Sequence, residues 1–111
     1  MTDKIVVFST CTSQQEATAI ARALVEERLA ACVSIVKQVR SIYRWKDAIE
    51  DAEEFLLVIK SNREKFRQLK SQLERMHSYE VPEVVALPIV DGSESYLLWL
   101  ERELGAALPP E

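Results

Sequence analysis

Apolar and polar positions alternate with two different periods along this chain, and the changes of period mark its elements. Ile5, Val6, Val7 and Phe8 stand consecutively within residues 4–11, as in a central strand covered on at least one face. Ser13-Gln14-Gln15-Glu16 then reads as a capping box, and Ala17, Ile20, Ala21, Leu24, Val25 and Arg28 follow at helical spacing, predicting a helix over 14–29. Residues 31–45 switch to a two-residue period. Val33, Ile35, Val39, Tyr43 and Trp45 share one face of a long strand, with Cys32, Val36 and Ile42 on the other. Lys46 to Ala52 carries charged and turn-forming residues, and residues 53–60 read as a third strand. Ser61-Asn62-Arg63-Glu64 is a second capping box, leading to a helix over 63–76 with Phe66, Leu69, Leu73 and Met76 on its apolar side. Pro82 closes that region. Residues 83–90 predict a fourth strand, with Pro88 marking an edge or bulge. A last helix carries Tyr96, Trp99, Leu100 and Leu104 on one face and ends at Gly105. The tail over 106–111, with Pro109-Pro110, is expected to be loose.

The order β-α-β-β-α-β-α predicts an α+β fold. Its first six elements form a ferredoxin-like split βαβ unit, an antiparallel four-stranded sheet with two helices on one face. No internal boundary is visible, so residues 1–111 read as one domain. One feature is too long for that unit. The second strand has about 14 residues, roughly 45 Å at ~3.3 Å each, against a usual ~5–6 residues. Its hairpin, from about Val39 to Ala52, therefore projects and carries Ile42, Tyr43, Trp45 and Ile49 outward. Burial by other copies of the chain is the expected solution, and a bent strand folded back on its own sheet is the alternative.

Composition narrows the function. Only two of 111 residues are glycine, and no G-x-G or Walker pattern occurs, which removes the common nucleotide-binding loops. Fourteen basic and eighteen acidic residues give a net charge of −4, unlike a nucleic-acid footprint. No apolar run is long enough to span a membrane. The N-terminus lacks the plan of a signal peptide, so a cytoplasmic location with free thiols is the default expectation. One histidine and two cysteines do not make a self-contained zinc site.

The residues that remain are few. Cys11 ends the first strand beside a helix N-terminus, which suits a thiolate or metal ligand, or simply a small buried residue. Cys32 reads as core. His77 ends the second helix, with Met76, Tyr79, Pro82 and Glu83 close by in sequence. Imidazole, thioether and carboxylate together suit a soft metal or a small ligand. Lys60, at a strand end, suits an anion or solvent. Glu53 and Glu54 point to opposite faces and form no acid–base pair. No catalytic constellation and no organic-cofactor fingerprint is present, so the chain is not read as an enzyme.

Taken together, Ala30-Ala31-Cys32-Val33-Ser34-Ile35, Ser41-Ile42-Tyr43-Arg44-Trp45, Glu54, Lys60, His77-Ser78-Tyr79-Glu80-Val81-Pro82-Glu83 and Tyr96-Leu97-Leu98-Trp99-Leu100 resemble the CutA divalent-cation tolerance family over about residues 4–104. The resemblance implies a PII-like homotrimer with hairpins packed between subunits, and binding of copper or another divalent metal ion in a metal-tolerance role. It implies Cys11 and His77 as metal ligands. Met76 stands where copper-binding members carry a first histidine, and is the third candidate. Ser78, Asp47 and Ser61 replace a usual proline, glycine and threonine. The other reading is a small-ligand sensor, with metal binding incidental. Its inter-subunit clefts, lined by Trp45, Lys60, His77, Tyr79, Glu83 and Trp99, would take a small polar metabolite.

Overall fold

The computed structural model describes residues 2–105. The tail expectation for 106–111 lies outside the described residues. Seven elements follow the predicted order: β1 (Lys4–Cys11), α1 (Gln14–Glu26), β2 (Cys32–Trp45), β3 (Ala48–Asn62), α2 (Phe66–Met76), β4 (Val85–Pro88) and α3 (Glu94–Glu103). The strands form one antiparallel sheet in the order β2-β3-β1-β4. Ile5, Val7 and Cys11 of β1 and Leu57 and Ile59 of β3 close onto Ala17, Ile20 and Leu24 of α1 and Leu69 and Leu73 of α2. Removing these side chains from water is the main stabilising term of the fold. Among the described residues no helix is long and apolar enough to cross a membrane.

α1 starts where the sequence places it, with Ser13 Oγ accepting from Glu16 N–H at 3.1 Å. It ends three residues early. Arg28 takes a left-handed backbone at φ 58°, and the N–H groups of Leu29 and Ala30 both turn back to the Leu24 carbonyl. This is a helix C-terminal reversal built without glycine. α2 begins later than predicted. Ser61 is fully buried and its hydroxyl donates to the Leu29 carbonyl at 2.6 Å, so it cannot cap. Asn62 accepts from Lys65 N–H at 2.8 Å instead, and Phe66 opens the regular helix. α3 stops at Gly105, whose φ of 67° suits a residue without a Cβ.

The hairpin is longer than expected. The turn is not Lys46 to Ala52 but Lys46-Asp47 alone, both at positive φ (50° and 66°), the backbone of a two-residue turn that matches strand twist. Trp45 pairs directly with Ala48, so the acidic stretch after the turn is strand. Arg40 and Asp51 grip each other across it at 2.9 and 2.6 Å. The hairpin gives the molecule its 51 Å long axis, against 29 and 22 Å across.

A bulge between Val36 and Val39, with Gln38 at φ 61°, adds one residue to β2. A one-residue slip moves every later side chain to the opposite face. Val33 and Ile35 lie across from the buried Ile59 and Leu57. Beyond the bulge, Val39 and Tyr43 lie across from Glu54 and Glu50, on the sheet face away from α1 and α2. The single face predicted for Val33 through Trp45 is therefore divided. β4 is also shorter than predicted, four exposed residues along β1 that end at Pro88, with Ile89 N–H still donating to the Lys4 carbonyl at 3.0 Å.

Candidate functional site

β1 and α1 are joined by Thr12-Ser13 alone, which brings the end of the strand against the first turn of the helix. Cys11 is completely buried there. α2 ends at His77, whose extended backbone (ψ 142°) leads the chain away over the end of β1. The Cys11 sulfur and His77 Nε2 lie 4.0 Å apart. Two side chains 66 positions apart in sequence thus come together within one chain, while Glu83 lies on the cleft described below.

The third member was not singled out by the sequence. Glu16, assigned above to a capping box, does not reach back to its own helix terminus. Its Oε2 accepts from Ser78 N–H at 2.8 Å, and its Oε1 is buried without a partner. Potential ligand atoms of Cys11, Glu16 and His77 all lie within 4.8 Å of one another. Met76 faces elsewhere in its contacts: its sulfur accepts from Gln72 Nε2 at 3.4 Å and its side chain packs on the core.

Proton positions follow from the hydrogen bonds. Tyr79 N–H donates to His77 Nδ1 at 3.1 Å, so the neutral ring carries its proton on Nε2, which donates to the Thr10 carbonyl at 2.6 Å. Burial, and secondarily the charges of Glu16 and Glu54, push the Cys11 thiol up to about 12. The adjacent helix terminus does not overcome that desolvation, and the residue is a thiol at neutral pH. Taking up a cation here displaces the thiol proton and costs His77 its bond to Thr10.

The predicted cleft residues separate into two places. Trp45, Tyr79 and Glu83 border a cleft of about 860 Å³ that runs along the hairpin from Glu54 toward its tip. Tyr43 shares its walls. Lys60 and Trp99 are not among its lining residues. Lys60 Nζ sits 3.9 Å from the Cys32 sulfur and 5.9 Å from the Tyr96 ring, and Tyr96 stacks on Trp99 with centroids 5.7 Å apart. This second cluster belongs to α3, and Cys32 is half-buried in it rather than part of the core. His77 touches the cleft residue Tyr79 ring to ring at 4.8 Å but does not line the cleft itself. Glu54 was missed as well. It is 3% exposed, and Tyr79 OH donates to its Oε2. Burial and that bond both hold the phenol well above its ordinary range.

The family model described as CutA1 divalent ion tolerance protein matches residues 5–103. A divalent-cation tolerance protein CutA of Thermus thermophilus is 48% identical over 100 residues, covering 90% of this chain and 97% of that one. Human protein CutA is 44% identical over 86% of this chain, and the chain spans 53% of its length. The solved divalent cation tolerance protein of Thermus thermophilus superposes with a TM-score of 0.89 at 47% identity, covering 92% of this chain and 99% of that one. These names describe tolerance, not a catalysed reaction. They also correct the expected location. The Archaeoglobus fulgidus structure is described as periplasmic, at 36% identity and TM-score 0.88 over 91% of this chain and 98% of that one, and the Arabidopsis thaliana relative is chloroplastic, at 40% identity over 88% of this chain and 54% of that one. Likeness of this kind does not carry a cytoplasmic address.

Proposed function

The chain belongs to the CutA1 divalent ion tolerance family, and from that membership we propose that it binds a divalent cation, copper foremost, as a homotrimer of ferredoxin-like subunits with a PII-like arrangement. The observation that carries the metal reading is the convergence of Cys11, Glu16 and His77, with one Glu16 oxygen buried and unpartnered. A buried carboxylate oxygen without a donor is costly and is satisfied by a cation. Thiolate, imidazole and carboxylate form a mixed soft and hard set. A Cys/His/Met set would favour Cu(I); exchanging the thioether of Met76 for Glu16 moves the preference toward a divalent ion such as Cu(II) or Zn(II).

The trimer rests on what one subunit leaves uncovered. Ile42 and Ile49 on the hairpin are 64% and 61% exposed, with Tyr43 and Trp45 beside them, and Val36, Val85 and Leu87 on the sheet are exposed as well. A hairpin with apolar side chains this exposed is marginal in water and is stabilised by burial against other copies. Native mass spectrometry is expected to show a three-chain species.

Metal titration followed by desalting and elemental analysis tests the metal reading. We expect stoichiometric retention of copper or zinc by the wild type, and its loss in Cys11→Ser and His77→Gln. Wild-type retention by variants that still give the native melting profile would overturn it.

A further inference from the structure

His77 has no ring nitrogen to spare. Nδ1 accepts from Tyr79 N–H at 3.1 Å, and Nε2 donates to the Thr10 carbonyl at 2.6 Å. A metal needs a ring lone pair, and the neutral ring offers one, here on Nδ1. Ligation through Nδ1 takes that lone pair from Tyr79. Ligation through Nε2, which lies 4.0 Å from the Cys11 sulfur, requires the ring proton to sit on Nδ1, where it meets the Tyr79 N–H donor to donor. By either route Tyr79 N–H loses its acceptor. A metal-bound imidazole is normally held at its other nitrogen by an acceptor, a carbonyl or a carboxylate. The Nδ1 side of His77 presents a donor, the opposite polarity.

Glu16 meets no such conflict. It holds Ser78 N–H through Oε2 and keeps Oε1 buried and unpartnered, so it can take a cation without giving up Ser78. Along the segment after α2 the conflict therefore falls on Tyr79. That residue is also held from its far end, because its hydroxyl donates to Glu54 Oε2. Glu54 is 3% exposed and stands on β3 opposite Val39, where the hairpin leaves the body of the sheet. The Tyr79 ring packs against His77 with centroids 4.8 Å apart. Residues 77–84 belong to no helix or strand, so these contacts, rather than a backbone ladder, fix the chain at Tyr79.

We propose that Tyr79 is a positioning residue of the metal site, holding His77 in a hydrogen-bonding state that opposes ligation, and that its bond to Glu54 reinforces that hold from the hairpin base. The inference rests on the metal reading above and supplies its regulation. Loading at Cys11, Glu16 and His77 releases Tyr79 N–H and loosens the tie to Glu54. Coupling between two equilibria is reciprocal, so weakening the tie favours loading. The bond that joins the segment after α2 to β3 thus disfavours the metal, and the loading state is passed to the strand that carries the hairpin. A merely structural role for Tyr79 predicts the opposite sign, because a loosened segment would leave His77 less well placed and weaken uptake.

Zinc affinity of the full-length oligomer, measured by competition with a chromophoric chelator, tests this together with NMR of the imidazole nitrogens, which the single histidine makes unambiguous. Tyr79→Phe is expected to bind zinc about fivefold more tightly than the wild type, or more. Glu54→Gln is expected to move the same way by less, because its amide oxygen still accepts from Tyr79. In the wild type, zinc is expected to leave Nδ1 either protonated or metal-bound and to speed hydrogen exchange at the Tyr79 amide. Three results would each overturn the proposal. Zinc binds the wild type, but Tyr79→Phe and Glu54→Gln, folded by their melting profiles, bind it equally or more weakly; the metal reading then stands and the coupling fails. Zinc binds, but Nδ1 still accepts and the Tyr79 amide stays as protected as in the metal-free protein, with the same consequence. Zinc binds neither the wild type nor the variants, and the metal reading fails along with the coupling.

Discussion

The bond between Tyr79 and Glu54 ties the segment after α2 to the hairpin strand β3, and Tyr79→Phe removes it while keeping the ring. Glu54 lies almost wholly out of water, so no solvent donor is at hand to replace the lost hydroxyl. A hydrogen bond to a charged group contributes roughly 1.5–3 kcal/mol, and a buried acceptor deprived of its donor bears the larger share of that range. We therefore expect a loss of about 2 kcal/mol, with little lost from packing because phenylalanine fills the same volume. Urea unfolding at pH 7 reads it, at fixed protomer concentration because assembly contributes to the midpoint. Glu54→Gln alone is expected to cost less than about 1 kcal/mol, since the amide oxygen still accepts from Tyr79 in a neutral bond. In the double variant the two losses are expected to fall short of additivity by about 1 kcal/mol or more. A change under about 0.5 kcal/mol for Tyr79→Phe, or strict additivity, would refute the assignment of that bond as a tie between the two segments.

Ser9 Oγ is buried on the helix-covered face of β1 without a partner, so Ser9→Ala is expected to stabilise by about 1 kcal/mol in the same assay; an equal loss would contradict it. With its thiol pushed up to about 12, Cys11 is expected to resist alkylation at pH 8 until the protein unfolds, while the half-buried Cys32 reacts first, as peptide mass mapping would show; early labelling of Cys11 would refute its burial. That elevation also sets a pH dependence. Its stabilising effect is complete below the ordinary thiol value of 9.0 and is lost as pH rises toward about 12, so melting temperature is expected to fall across that window and less steeply in Cys11→Ala. Asp47 holds a φ of 66° in the hairpin turn, so Asp47→Gly is expected to raise stability by a few tenths to about 1 kcal/mol, read by thermal melting; a loss would show that the turn does not need that backbone.

The element order was legible because periodicity and turn chemistry agree along most of the chain. The errors share a cause. Arg28, Gln38, Lys46 and Asp47 all adopt left-handed backbone without being glycine, and a chain with only two glycines hides its reversals and its bulge from sequence reading. Missing Gln38 misassigned the face of Val39 and Tyr43, and with it the composition of the cleft. Missing the Lys46-Asp47 turn cost five residues of β3. In the candidate sites, Cys11 and His77 were legible through chemistry and resemblance. Glu16 and Glu54 were not. Each had an adequate local explanation, a capping box and a pair of carboxylates on opposite strand faces, and only the tertiary contacts with Ser78 and Tyr79 show where their carboxylates go. Lys60 and Trp99 do not join the cleft because Lys60 pairs with Cys32 at the far end of β3 from the hairpin turn, where Tyr96 and Trp99 of α3 stack beside it.

X-ray absorption at the metal edge of the protein loaded with one copper or zinc per chain tests the metal reading most directly. With Cys11, Glu16 and His77 as ligands, the first shell contains one sulfur at about 2.3 Å together with nitrogen and oxygen at about 2.0–2.2 Å. Glu16→Gln weakens uptake while keeping the sulfur in the shell. A first shell of nitrogen and oxygen alone in the wild type would contradict the account.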